Sequence, residues 1–329
     1  MYALTRPSYV ALLAPVLAFA VSIALIRLLA LRARRDWFLD HPNERSLHST
    51  PVPRTGGVGL IPGALLGMLI VGGATWAVLF ALALMLLSLV DDWKGLSAAV
   101  RLPLHLVAAG SFVLLALSPQ GWLGAALLAV AIGWMANLYN FMDGSDGMAG
   151  GMALIGFSVY ALAAAAGGAP AFALVNLCVA AAALGFLAFN FPPARVFMGD
   201  AGSIPLGFLA GALGLQGWTQ DLWPLWFPLV VFGPFVADAS VTLLRRVLSG
   251  ERVWRPHRTH YYQRMILLGW THRRTALTEY AMMLGSGLVA LLLIHQPASV
   301  QVLALAGLAF GYLVAGWMVD TRWRRRTPA

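Results

Sequence analysis

The sequence predicts an all-α fold: a polytopic integral membrane helix bundle of about eleven transmembrane helices, with the N-terminus outside and the C-terminus cytoplasmic. Three observations predict it. Mean hydropathy is +0.77 and only 11% of the residues are charged, where a soluble domain carries about 25%. The apolar residues come in long runs that do not alternate, unlike the roughly 10-residue alternating strands of a membrane barrel. Helices are the remaining way to satisfy the backbone in lipid. Third, the substantial polar loops fall on one side of these runs.

The runs are 8–30, 56–73, 75–90, 101–118, 122–139, 148–166, 170–189, 203–218, 222–244, 277–295 and 299–319. Each approaches the 20 or so residues that cross a bilayer, although several are short. The first exceeds a signal-peptide apolar region of about 7–15 residues and is followed by Arg27, Arg32, Arg34 and Arg35, so it reads as an uncleaved anchor. The second and third are divided only by Gly72-Gly73. With the N-terminus outside, the outer loops are 74, 119–121, 167–169, 219–221 and 296–298, all short. Of the 22 Lys and Arg residues only Arg6 then lies outside, as the positive-inside rule requires. Of the 13 acidic residues only Asp221 does. The formal charge of +9 therefore reports topology, and no nucleic-acid partner is expected. The single cysteine, Cys178, excludes a disulfide framework within the chain. The chain reads as one transmembrane catalytic domain, 1–329, whose cytoplasmic loops 31–55, 91–100, 140–147, 190–202 and 245–276 assemble one composite site.

The loops carry the chemistry. In 31–55, the stretch HPNERSLHSTPVPRTGG supplies Arg45, His48 and Arg54 before Gly56-Gly57. Those glycines suit a turn, a close approach or a tight helix start. In 91–100, Asp91 and Asp92 sit at a helix C-terminus, the end that disfavours carboxylates. A hard cation or a proton-transfer role explains the pair. In NLYNFMDGSDGMAG, Asn137, Asn140, Asp143 and Asp146 fall within ten residues, and Gly144 and Gly147 let a ligand approach the backbone. Asp146 also suits an N-cap for the sixth span.

In FNFPPARVFMGDAGS, Asp200 precedes a helix start, where its charge is favoured. Phe197 suits the membrane interface or stacking on a planar base, and Asn190 has the donor and acceptor a pyrimidine edge needs. In RPHRTHYYQR, His257 and His260 lie among Arg255, Arg258 and Arg264. Zinc would need a third ligand, and none is near; phosphate suits the cluster better. Asp238 differs, being inside the ninth span, with Arg245 a partner on the same face. Carboxylates from three loops, basic groups from two more and an aromatic make an inventory for chemistry on a pyrophosphate. Its position at the membrane surface points to a lipid substrate.

VDDWKG, NLYNFMDGSDGMAG, FNFPPARVFMGD and the PHRTH loop, in this order from about Asp40 to Arg274, resemble the polyprenyl-phosphate N-acetylhexosamine-1-phosphate transferases. Eleven spans resemble the branch that initiates O-antigen and teichoic acid synthesis. The resemblance implies a Mg2+-dependent enzyme of the bacterial inner membrane, with Mn2+ as a substitute, working on the cytoplasmic face. A UDP-sugar and undecaprenyl phosphate would give lipid-diphosphate-sugar and UMP; a homodimer is an allowed assembly. It further implies Asp200 as metal ligand with Asp92, and Asp91 and Asp92 as the pair serving the lipid phosphate. Asp143 and Asn140 would line the pyrophosphate region, with Asp146, Asn190 and Phe197 around uridine. His257, Arg258 and His260 would hold sugar and phosphates, and His48 and Arg54 are further candidate substrate contacts. Members transferring N-acetylglucosamine carry an HxHH cluster in the last loop, where this chain has His260-Tyr261-Tyr262-Gln263. That departure resembles members that transfer 6-deoxy-N-acetylhexosamines.

Two other classes compete. A secondary transporter of an anionic solute would place polar groups near the bilayer midplane, where only Asp238 lies. A CDP-alcohol phosphotransferase would need Ala-Arg soon after Asp-Gly, which DGSDGMAG lacks.

Overall fold

The structure is a computed structural model that describes residues 9–32, 39–42, 47, 50–119, 121–252 and 257–326. Its helices are α1 (Tyr9–Arg32), α2 (Gly56–Val71), α3 (Thr75–Lys94), α4 (Ala98–Phe112), α5 (Gly121–Met142), α6 (Met148–Ala166) and α7 (Pro170–Asn190). There follow α8 (Asp200–Thr219), α9 (Phe227–Val231), α10 (Gly233–Leu248), α11 (Tyr261–Leu267), α12 (His272–Leu293) and α13 (Ala298–Arg326). A π-helical turn, Val113–Leu117, prolongs α4. Among the described residues, 8 helices are long and apolar enough to cross a membrane: α1, α3, α4 with its extension, α5, α6, α7, α12 and α13. The chain is an all-α multi-pass membrane protein with one small exception: β1 (Leu39–Asp40) pairs antiparallel with β2 (Val52–Pro53).

Helix covers most of each expected span, but several ends differ and residues 222–226 of the ninth are not helical. Nothing breaks α3 before Gly95, which caps it at φ 66°. Asp91 and Asp92 therefore lie in its last turn and not in a loop. α5 continues to Met142 and carries Asn140 with it, and α8 begins at Asp200 itself. The ninth span is two helices, α9 and α10, divided at Phe232. Pro234 follows within the first turn of α10, and proline cannot donate to the preceding turn. The short helix α11 was not foreseen.

α1 packs on α2 and α7, α7 on α6, and α8 lies against α3 and α5. Small residues allow the close approach, as membrane helices without a water-driven force require. A Cβ on Gly63 would sit 2.7 Å from the Ala18 carbonyl, and one on Gly67 would sit 2.7 Å from Cys178 Sγ. α8 is buried along nearly its whole length. By contrast, none of the most apolar stretch of α13 is buried within the chain.

Candidate active site

The starts of α2, α4, α8 and α12 and the ends of α3, α5 and α7 meet at one end of the bundle. There the ends of α5 and α7, the starts of α8, α11 and α12, the β1–β2 ribbon and the loops between them enclose a cavity of about 320 Å3. Arg54, Asn140, Asp143, Asp146, Asn190, Phe197, Asp200 and His257 line it, so eight of the expected site residues share one wall system.

Backbone pairing builds the frame. The amides of Gly56 and Gly57, unpaired at the start of α2, donate to the carbonyls of Phe197 and Met198, each at 2.9 Å. A Cβ on Gly57 would lie 2.3 Å from the Gly202 nitrogen, so close approach is the reason for glycine. Asn190 is buried, and its amide ties the third polar loop to the fourth. Its oxygen accepts from Gly147 N–H at 2.9 Å and its nitrogen donates to Val196 O at 2.9 Å. The bonds expected to read a pyrimidine thus go to backbone. Asp146 is likewise not the N-cap of α6; Gly147 holds that place at φ 77°. Asp146 accepts from Ala194 N–H at 2.9 Å and lies 3.7 Å from His272 Nδ1.

Asp200, in the first turn of α8, accepts from Asn140 Nδ2 at 2.8 Å. Its other oxygen lies 3.3 Å from Arg101, which donates to Asp91 at 2.7 Å. Asp91 is buried, and its second oxygen accepts from Leu96 N–H at 2.7 Å. Asp91 therefore does not line the cavity; it anchors Arg101. Asp92 is exposed and feels the charges of Asp200, Arg54, Asp91 and Arg101. Burial pushes the Asp143 carboxyl well above the usual carboxylate range, and the charges of Asp200 and Asp40 push it the same way. Arg54 stands 3.9 Å from Asp40 across the β1–β2 ribbon.

In the last polar loop, burial first, then His260 and nearby arginines, lower the His257 pKa to about 4, so the ring is neutral near pH 7. His260 is buried away from the cavity with Nδ1 3.2 Å from Asp238. Arg258 is exposed and does not line the cavity. His48 lies outside the described residues. Arg245 does not partner Asp238; it binds Asp320 at 2.6 Å. Asp238 instead accepts from the amides of Tyr261 and Tyr262 at the start of α11, a structural role.

Sequence reasoning missed Arg101, Ser203, Ser145, Tyr262, Gln263 and His272. Arg101 had been assigned to a span. His272 stands two residues past Trp270, the last aromatic of its loop, and it bonds Ser145 Oγ through Nδ1 at 3.0 Å. Among the described residues, no group of three His, Cys, Asp or Glu side chains could hold a metal without help. His257 and His260 thus find no third zinc ligand there. The carboxylates do fit Mg2+, which takes one or two protein oxygens and completes its shell with water and substrate phosphates.

The chain matches the family model described as glycosyl transferase family 4 over residues 74–217, the segment from α3 through α8 that contains Asp91, Asn140, Asp143, Asp146, Asn190 and Asp200. It is 30% identical to a probable undecaprenyl-phosphate N-acetylglucosaminyl 1-phosphate transferase of Bacillus subtilis, over 80% of this chain and 81% of that protein. It is 29% identical to a decaprenyl-phosphate N-acetylglucosaminephosphotransferase of Mycobacterium leprae, over 77% and 76%. It is 32% identical to a phospho-N-acetylmuramoyl-pentapeptide-transferase of a Synechococcus species, over 70% and 73%. None of these three is named as a transporter.

Proposed function

Because the chain belongs to the polyprenyl-phosphate N-acetylhexosamine-1-phosphate transferase superfamily, we propose that it moves an N-acetylhexosamine 1-phosphate from a UDP-sugar to undecaprenyl phosphate. UMP is released and a lipid-linked glycan of the cell envelope is begun, O-antigen or a related polysaccharide. The observation that carries this reading is the convergence of Asn140, Asp143 and Asp200, backed by Arg101, on a cavity that also presents Arg54, Phe197 and His257.

The reaction is a displacement at phosphorus. An oxygen of the lipid phosphate attacks the sugar-bearing phosphorus, and the bond to the UMP oxygen breaks. A phosphate monoester is already mostly ionised near neutral pH, its second pKa being about 6. No protein nucleophile is needed, and the reaction runs in one step. Asp200 and Asp92 would hold Mg2+, which would supply charge neutralisation on the diphosphate. Asn140 orients Asp200 through its amide. Arg101 fixes Asp91 and Asp200 relative to each other. Arg54 offers a guanidinium to phosphate, and neutral His257 offers a hydrogen bond without adding charge. Phe197 offers a face for uracil.

Tyr262 and Gln263 line the cavity where relatives with an HxHH cluster would offer imidazoles. This favours a donor sugar lacking the 6-hydroxyl, although the Bacillus and Mycobacterium relatives are named for N-acetylglucosamine. Localisation to the bacterial inner membrane, with the cavity on the cytoplasmic face, follows from the basic loops around it.

The test is UMP release by purified protein in detergent with undecaprenyl phosphate, Mg2+ and a panel of UDP-N-acetylhexosamines, beside Asp200→Asn. Release that needs both lipid and metal and is lost in the variant supports the transferase. Silence with every sugar, from folded protein, overturns it. UDP-N-acetylglucosamine outperforming the 6-deoxy sugars overturns the sugar preference alone.

A further inference from the structure

A second cavity, of about 520 Å3, lies between α10, α12 and α13, on the other face of α11 from the catalytic cavity. Tyr261 lines it, while the next two residues, Tyr262 and Gln263, line the catalytic one. Its walls are mostly apolar, including Val241, Met282, Leu313 and Val319. At one end it shares Leu268, Trp270 and Arg322 with an open basin of about 550 Å3 that adds Arg274, Arg325 and Arg326. The guanidinium of Arg274 sits 3.9 Å from the centre of the Trp270 ring. No carboxylate pairs with any of these four arginines among the described residues.

The positive-inside bias accounts for arginines near this face, but not for an apolar slot leading out of their midst. Glu279 gives an independent sign of a ligand. It is 5% exposed, lines the slot and has no hydrogen-bond partner among the described residues. A buried carboxyl without a partner is costly. It stands five residues beyond Arg274 on α12, so about 7.5 Å deeper at 1.5 Å per residue. At that depth a phospholipid held by its phosphate at Arg274 carries its glycerol ester carbonyls; these only accept, so Glu279 meets them in its protonated form, as the donor.

We propose that slot and basin form a site for one anionic phospholipid of the surrounding bilayer. Its phosphate is held by Arg274, Arg322 and Arg325, and one acyl chain lies between α10, α12 and α13. Charge complementarity selects the occupant: the basin is uniformly basic, so a zwitterionic lipid gains less there. The site is separate from the catalytic cavity and does not depend on the reaction assigned to it.

The experiment is native mass spectrometry of the purified full chain titrated with phosphatidylglycerol or phosphatidylcholine of equal chain length. Two variants are compared: Arg322→Gln with Arg325→Gln, and Ala315→Trp, which fills the slot from α13. Wild type is expected to retain phosphatidylglycerol in preference to phosphatidylcholine. Each arginine near an anionic headgroup is worth about fivefold, so the double variant should lose roughly 30-fold in affinity. Ala315→Trp should lose binding while keeping the basin. Equal binding of the two lipids by wild type overturns the proposal without any variant. So does unchanged binding in both variants. If the double variant keeps phosphatidylglycerol but shows a raised KM for undecaprenyl phosphate, the basin serves the acceptor substrate and the proposal fails. Both arginines are exposed, so their loss leaves the fold in place.

Discussion

Replacing Arg101 by alanine separates two things the arginine does. It holds Asp91 at 2.7 Å and Asp200 at 3.3 Å, and it places a positive charge beside the proposed metal site. The first effect is on stability. Asp91 is 8% exposed and loses a charge-assisted hydrogen bond, worth about 1.5–3 kcal/mol. The second effect has the opposite sign for metal. A Mg2+ bound to Asp200 at about 2.1 Å would stand about 5 Å from the guanidinium that contacts the same carboxylate at 3.3 Å. Because Arg101 is 36% exposed, a water-like dielectric applies. The repulsion of a unit charge and a divalent ion is then about 1.5 kcal/mol, roughly tenfold in affinity at low salt. Arg101→Ala should therefore lower the melting temperature and reduce UMP release at saturating Mg2+, yet reach half-maximal activity at about tenfold less Mg2+. Arg101→Lys should restore much of the metal dependence but not the paired contact. The assay is UMP release against Mg2+ concentration, with a thermal melt of each variant in detergent. A weaker Mg2+ requirement than wild type is the expected result; an unchanged or greater requirement would refute this reasoning and make Arg101 chiefly a scaffold for the carboxylates.

Asn190→Ala strands Gly147 N–H and Val196 O and should destabilise the protein by about 2–4 kcal/mol in the thermal melt; a normal melt with a raised KM for the UDP-sugar would restore the base-reading role to Asn190. Gly57→Ala drives a Cβ against the Gly202 backbone, so purified variant should melt lower and release little UMP, and wild-type behaviour would show that α2 and α8 can part freely. Asp143 has a raised folded pKa, so in metal-free protein its contribution to stability is present below about pH 3.9 and is lost as pH rises through the raised value. A cation held at Asp200 would offset the charge that opposes Asp143 ionisation, so apparent Mg2+ affinity should rise with pH in wild type but less steeply in Asp143→Asn. His257 has the reverse sign: its pKa is lowered to about 4, so its contribution is full above about pH 6.5 and fades as pH falls toward the lower value. A melt of wild type against His257→Gln between these limits checks it.

Much of this was readable without coordinates because composition and local pattern carry it. Long apolar runs must be helices in lipid, and charge asymmetry across them places the polar loops together. The motifs around Asp143 and Asp200 announced themselves because carboxylates and glycines beside apolar spans have few structural uses. Helix ends were less readable. Asp91, Asp92 and Asn140 are helical because no breaker precedes Gly95 or Asp143, and an apolar-run criterion stops at the first charge.

What only tertiary structure decided is which polar group spends its bonds on what. Asn190, Asp146 and His260 have side chains suited to ligands, yet the fold commits them to backbone amides, a carbonyl and Asp238. Arg101 looks from sequence like a stray charge at a span's edge, yet it reaches Asp200 across 99 residues and joins it to Asp91. By itself the sequence determined the medium, the helices and the chemical inventory, because those depend on transfer free energies and local spacing. The division of that inventory into cavity wall, scaffold and separate apolar slot depended on contacts between distant segments, which only helix packing brings within bonding distance.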